Sequence, residues 1–155
     1  METKPEGLPP AGGWDIRWVM SVLPHRYPLL LVDRVLELEA GRRLVAIKNV
    51  TINEPYLVGH FPGHPVVPGV LLVEGLAQAA GVLVLHDRPD RDSKLVLFTS
   101  IENARFRRPV VPGDQMRYEV EVLRLRSNYS KLQGRVTVDG QLAAEAVIAS
   151  AMIDR

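Results

Sequence analysis

The sequence predicts an α+β domain in which one long, almost uniformly apolar helix is wrapped by a curved, mostly antiparallel sheet. Three observations carry that expectation. From Pro68-Gly69 through Leu85 the chain stays apolar or small on every side, interrupted only by Glu74 and Gln78. A helix that is hydrophobic all round belongs in a protein interior. In the C-terminal half, Met116, Tyr118, Val120 and Val122 alternate with Arg117, Glu119 and Glu121, the period-2 pattern of a half-buried strand. Finally, Asp139-Gly140 follows Val136-Thr137-Val138 and supplies the positive φ angles of a type I′ hairpin turn. So apolar a helix must be covered almost completely, and a curved sheet is a compact cover.

Taken in order, residues 1–13 hold three prolines and three glycines and are expected to form a flexible N-terminal tail, with residues 14–155 as a single domain. Trp14 to Leu23 can form a short helix that stops before Pro24. Two prolines bracket a turn in PHRYP, after which Leu29 to Leu38 reads as a strand and Arg43 to Asn49 as a second. A Gly/Pro-rich loop from Thr51 to Pro68 leads into the central helix, expected from about Gly69 to His86. Lys94 to Ser100 and Ala104 to Arg108 read as two further strands, and PVVPG (Pro109 to Gly113) as a turn. The alternation beginning at Met116 slips phase at Leu123, the mark of a bulge. The alanines of QLAAEAVIASAMI favour helix by propensity, but the Asp139-Gly140 turn must return a partner, so this segment is assigned as a strand.

Bulk properties exclude several functions. A chain of 155 residues fits one domain, and 46% AVILMFWYC with 24% charged residues marks it as globular. A formal net charge of +1 supplies no global attraction to nucleic acid or to an anionic membrane. The absence of cysteine excludes disulfides, thiolate zinc sites and a cysteine nucleophile. The run from Val70 to Leu85 is shorter than the ~20 residues that span a bilayer, so no membrane insertion is expected. METKPEGLPPAGG lacks the apolar core of a signal peptide, and a soluble cytoplasmic protein is the expectation.

The chemistry concentrates in GHFPGHPVVPGVLLVEGLAQAAG, Gly59 to Gly81. A carboxylate on a buried helix costs several kcal/mol unless it is paired or neutralised. Glu74 occupies such a position, and His60 lies in the rigid loop leading into the helix, which makes the two a candidate acid/base pair. His60 and His64 have an H-x3-H spacing, but Pro62 and Gly63 break the helix that would align two metal ligands, so no metal site is expected. His64 is read as a rim residue, His25 in LPHRYP as structural, and His86 as a helix-end residue.

Three blocks resemble one family: LPHRYPLLLVDRV (Leu23 to Val35), NEPYLVGHFPGHPVVPGVLLVEGLAQAAG (Asn53 to Gly81) and IENARFRRPVVPGDQM (Ile101 to Met116). With VDGQLAAEA they cover nearly all of the chain from Trp14 onward, and they are similar to the 3-hydroxyacyl-acyl-carrier-protein dehydratases of type II fatty acid synthesis. The resemblance implies the hot-dog fold, the same helix within a sheet that the patterns predict. It also implies His60 of GHFPG as catalytic histidine and Glu74 of PGVL-x-x-E as catalytic acid, facing each other across a dimer interface. A related branch that also isomerises the double bond carries aspartate at the helix position, so Glu74 favours plain dehydration. The family forms dimers, often trimers of dimers, and takes its substrate from acyl carrier protein on a phosphopantetheine arm. Gly75 departs from the more usual alanine, Ser100 from glycine, and Leu97 stands where some members place a tyrosine at the tunnel mouth.

The residues suit that reaction, which needs no cofactor. Dehydration takes a proton from C2 and delivers one to the hydroxyl leaving C3. An imidazole near pH 7 suits the base. A buried carboxyl with a raised pKa suits the acid. Unpaired N–H groups at the start of the central helix can hold the thioester oxygen. Gly69 is the predicted main donor, with Pro68, Val70 and Phe61 as further substrate-contacting residues. Glu74 follows Gly69 by about 7.5 Å along the axis, roughly the span from thioester carbonyl to C3 hydroxyl. Arg105, Arg107 and Arg108 are either an ordinary solvated edge or a docking surface for the acidic carrier protein. Two alternatives are a hot-dog thioesterase, which would release free thiol, and an acyl-binding domain without turnover.

Overall fold

A computed structural model describes residues 11–155; the expected tail of residues 1–13 lies largely outside the described residues. Helix α1 (Ile16–Val22) starts two residues later than the sequence predicts because Asp15 caps it, accepting from the Trp18 amide at 3.1 Å. Trp14 joins the sheet instead, bridging to Val35. Strands β1 (Arg34–Glu39), β2 (Arg43–Asn49), β4 (Gln115–Arg126), β5 (Tyr129–Val138), β6 (Gln141–Asp154) and β3 (Lys94–Phe106) form one six-stranded antiparallel sheet in the order β1-β2-β4-β5-β6-β3. Helix α2 (Gly69–Leu85) packs against β2, β4, β5 and β6, and from Leu72 onward all its residues are buried except Glu74 and Ala77. This is the hot-dog arrangement.

Asp139 and Gly140 have φ of 50° and 76°, as the I′ turn requires, and β6 is a strand despite its alanines. The slip near Leu123 is a register shift between Val122 and Arg124. Two expectations need correction. Lys94–Phe106 is a single strand, not two; its apparent break is absorbed by register shifts at Phe98/Ser100 and Glu102/Arg105, with Asn103 at φ 54°. Leu29–Asp33 lies outside β1, because its backbone groups bond mostly to side chains. Gln78 accepts from the Leu31 amide at 2.8 Å and donates to Leu29 O at 2.7 Å, while the Tyr118 hydroxyl donates to Leu31 O at 3.0 Å. No helix among the described residues is long and apolar enough to cross a membrane.

Candidate active site

The loop carrying His60 is anchored at both ends. Upstream, the buried ammonium of Lys48 bonds Glu54 Oε1 at 2.8 Å and Asn49 O at 2.9 Å, fixing the 3-10 turn Pro55–Val58 to the end of β2. Burial, together with nearby Glu54 and Asp33, pushes the Tyr56 hydroxyl in that turn up to about 12. Downstream, the Val67 amide bonds Val110 O at 2.8 Å. Between them Phe61 and His64 exchange two backbone bonds of 2.8 Å, and the Val66 amide bonds His60 O at 3.0 Å.

This tight loop also sets the imidazole. His60 Nδ1 lies 2.7 Å from Val66 O. A carbonyl oxygen only accepts, so Nδ1 carries the proton and Nε2 presents its lone pair. The Phe61 ring stacks on the imidazole with centroids 4.0 Å apart, so Phe61 braces the histidine.

His60 lines a cavity of about 410 Å3 with Gly69, Leu72, Phe106, Arg107 and Arg108. Pro68 is the N-cap of α2, and its carbonyl accepts from the Leu71 and Leu72 amides at 2.9 and 3.3 Å. The Gly69 and Val70 amides are left without intrahelical partners. A Cβ on Gly69 would stand 2.9 Å from the Phe106 ring, so only glycine keeps this close packing. The Val70 side chain is 74% exposed, and neither Val70 nor Pro68 lines a cavity with His60 or Glu74.

Glu74 lines a different cavity, about 240 Å3, with His25, Ala77, Gln78, Gly81 and Leu97 among its walls. Gln78 Nε2 donates to Glu74 Oε1 at 2.9 Å, and His25 Nε2 stands 3.5 Å from the same oxygen. Burial raises the Glu74 pKa, but the contacts from His25 and Gln78 outweigh it and hold the carboxyl below its ordinary value. The expected raised pKa is therefore not found in the single chain. The reason is two donors, of which His25 was read from sequence as structural.

Within one chain, then, His60 and Gly69 share one cavity and Glu74 occupies another. Strand β3 passes both, with Leu97 and Phe98 beside Glu74 and Phe106 beside His60. It is an edge strand of the sheet. Of the arginines, Arg105 lies on β3, whereas Arg107 and Arg108 lie beyond its end, at the His60 cavity. Arg107 pairs with Glu145 at 3.1 Å and Arg108 with Asp114 at 3.7 Å.

Comparison with known proteins identifies the family. Residues 23–147 match the family described as FabA-like domain. The chain is 55% identical over 141 residues to the 3-hydroxyacyl-[acyl-carrier-protein] dehydratase FabZ of Solibacter usitatus, covering 91% of this chain and 86% of that protein. It is 52% identical to the dehydratase of the same name from Koribacter versatilis, covering 91% and 90%. Among solved structures, the dehydratase heterocomplex ApeI:P from Xenorhabdus doucetiae superposes with a TM-score of 0.78 at 19% identity, over 88% of this chain and 91% of that one. A mutant thioesterase from Pseudomonas aeruginosa reaches 0.64 at 14% identity, over 91% and 95%. The last two likenesses show the fold alone. With half its residues shared over almost its whole length, the chain belongs to the 3-hydroxyacyl-[acyl-carrier-protein] dehydratase family.

Proposed function

We propose that the protein dehydrates (3R)-3-hydroxyacyl chains held on acyl carrier protein to the trans-2-enoyl thioester, at a site built from two subunits in the cytoplasm. The observation that carries the two-subunit reading is the placement of both cavities along the β3 edge. Pairing two copies of β3 antiparallel about Ile101 and Glu102 sets Leu97 of one copy opposite Phe106 of the other. The Glu74 cavity of one subunit then meets the His60 cavity of its neighbour. Leu97, Phe98, Ile101 and Phe106, between 42% and 53% exposed in the single chain, supply the apolar contact.

In this site His60 Nε2 removes the C2 proton while the bond to Val66 O keeps the tautomer. The Gly69 amide, at the positive end of α2, holds the thioester oxygen as charge develops on it. Glu74 serves the C3 hydroxyl. Burial is already the largest single influence on its carboxyl, and covering by the neighbour's apolar strand adds to it, moving Glu74 toward the protonated form an acid needs. The acyl chain follows the Ala77, Gly81 and Leu85 side of α2. The carrier protein docks around Arg105, Arg107 and Arg108, at the mouth of the His60 cavity, with Arg107 and Arg108 partly neutralised by Glu145 and Asp114.

The test supplies 3R-hydroxyacyl carrier thioesters and follows both enoyl product and free thiol. Enoyl product without thiol release is expected; thiol release would indicate a thioesterase. His60→Ala and Glu74→Gln should each lower kcat by about 10²–10⁴-fold while the protein stays folded. Mixing the two inactive variants under subunit exchange should restore about a quarter of wild-type activity, because half of the dimers would each hold one intact site. A mixture that exchanges subunits and remains inactive would exclude a shared site.

A further inference from the structure

We propose that His25 is a positioning residue for the acid half of the site, its ring holding the Glu74 carboxyl so that one oxygen stays free for the substrate hydroxyl. This rests on the dehydratase reading above but concerns a residue outside the His60 and Glu74 pair. His25 sits in the turn after α1, and its backbone is fixed by Arg26. The guanidinium bonds Leu23 O at 2.8 Å, His25 O at 2.7 Å and Met20 O at 3.1 Å. From this turn the ring reaches α2, with Nε2 3.5 Å from Glu74 Oε1. That is the outer edge of hydrogen-bond range, and such contacts are often long in unliganded sites and tighten when substrate is bound.

Two further observations set His25 apart from an ordinary structural histidine. Its Nδ1 is buried and has no hydrogen-bond partner, so the ring's one polar contact is with the glutamate. Gln78, itself fixed by Leu29 O and the Leu31 amide, donates to the same Oε1. Both donors therefore converge on one oxygen, and Oε2 has no hydrogen-bond partner among the described residues. That oxygen is the one available to the C3 hydroxyl. The groups that line the cavity with Glu74 are His25, Gln78 on its own helix and Ser150 on β6; β3 contributes Leu97 and Phe98, while the Tyr118 hydroxyl on β4 packs against neighbouring Gly75. In the proposed dimer His60 of the other subunit joins them.

The experiment compares wild type, His25→Ala and His25→Gln by kcat and KM across pH, and by carbon NMR titration of the Glu74 carboxyl. The contact with His25 lowers the carboxyl's pKa while burial raises it, so removing the ring leaves burial less opposed. For His25→Ala, the Glu74 titration and the matching limb of the pH profile should move to higher pH. Its kcat should fall by about 10²-fold with KM nearly unchanged, the scale of a misplaced catalytic group. His25→Gln, which keeps a donor near the position of Nε2, should recover most of kcat and return the titration toward wild type. The inference is overturned if His25→Ala matches wild type in titration and kcat. A moved titration with full kcat overturns it as well, as does a loss that His25→Gln does not reduce. Absence of enoyl product from wild type, or full turnover by Glu74→Gln, would instead remove the dehydratase reading beneath it.

Discussion

Two glycines of α2 are each closed in by an aromatic ring, with opposite expected consequences. A Cβ on Gly75 would lie 2.3 Å from the Tyr118 hydroxyl and 2.6 Å from the ring carbon bearing it. Tyr118 is fully buried and tied to Leu31 O, so it cannot retreat. Gly75→Ala should therefore destabilise by about 1–3 kcal/mol, and Tyr118→Leu in the same chain should return part of that loss, read by urea unfolding as a double-mutant cycle. Gly69 is closed by Phe106, which is 53% exposed and free to swing. Gly69→Ala should leave stability nearly unchanged and lower kcat, because the displaced ring enters the His60 cavity. The placement of His60 in a tight loop and of Glu74 on the buried helix was legible in the sequence, from loop chemistry and an apolar run. The reason for Gly75 was not, since its partner arrives from β4. Nor was the contact of His25 with Glu74, which depends on a fold that brings the turn after α1 against α2.

At the scale of elements, period and turn chemistry predicted most of the sheet, and the failures share one cause. A sequence pattern reports that a backbone is extended but not what it bonds to. Leu29–Asp33 reads as strand, yet its partners include Gln78 and Tyr118, so it forms no continuous ladder with a neighbouring strand. In β3 the residues around Asn103 read as a break, whereas pairing with β6 continues through two register shifts. The role of Gln78 as a substitute strand gives an expectation. Gln78→Ala would leave the Leu31 amide and Leu29 O unpaired, at about 1–3 kcal/mol for each group that stays dry. Urea unfolding should show the loss, and hydrogen exchange should show the Leu31 amide opening first. Unchanged protection at Leu31 would mean that water or a rearranged side chain takes the place of Gln78.

For the whole molecule the deciding feature is an edge. The sheet covers α2 from β2 to β6, but β3 ends it with an open ladder and exposed apolar side chains, an arrangement that invites another strand. The sequence could not disclose that edge, because strand order follows from long-range pairing. The His60 and Glu74 cavities lie toward opposite ends of the same strand, so on the proposed reading a single chain is expected to be folded but inactive. In the proposed pairing Ile101 stands opposite Glu102 of the other copy. Ile101→Glu would then bring like charges face to face twice across the two-fold axis and remove an apolar contact at its centre. The variant should run as a folded monomer by light scattering and circular dichroism, and lose nearly all turnover. Leu123→Glu, an equally exposed apolar position on β4, should stay dimeric and active. An active dimer of Ile101→Glu would place the interface elsewhere and leave the His60 and Glu74 cavities without a route to each other.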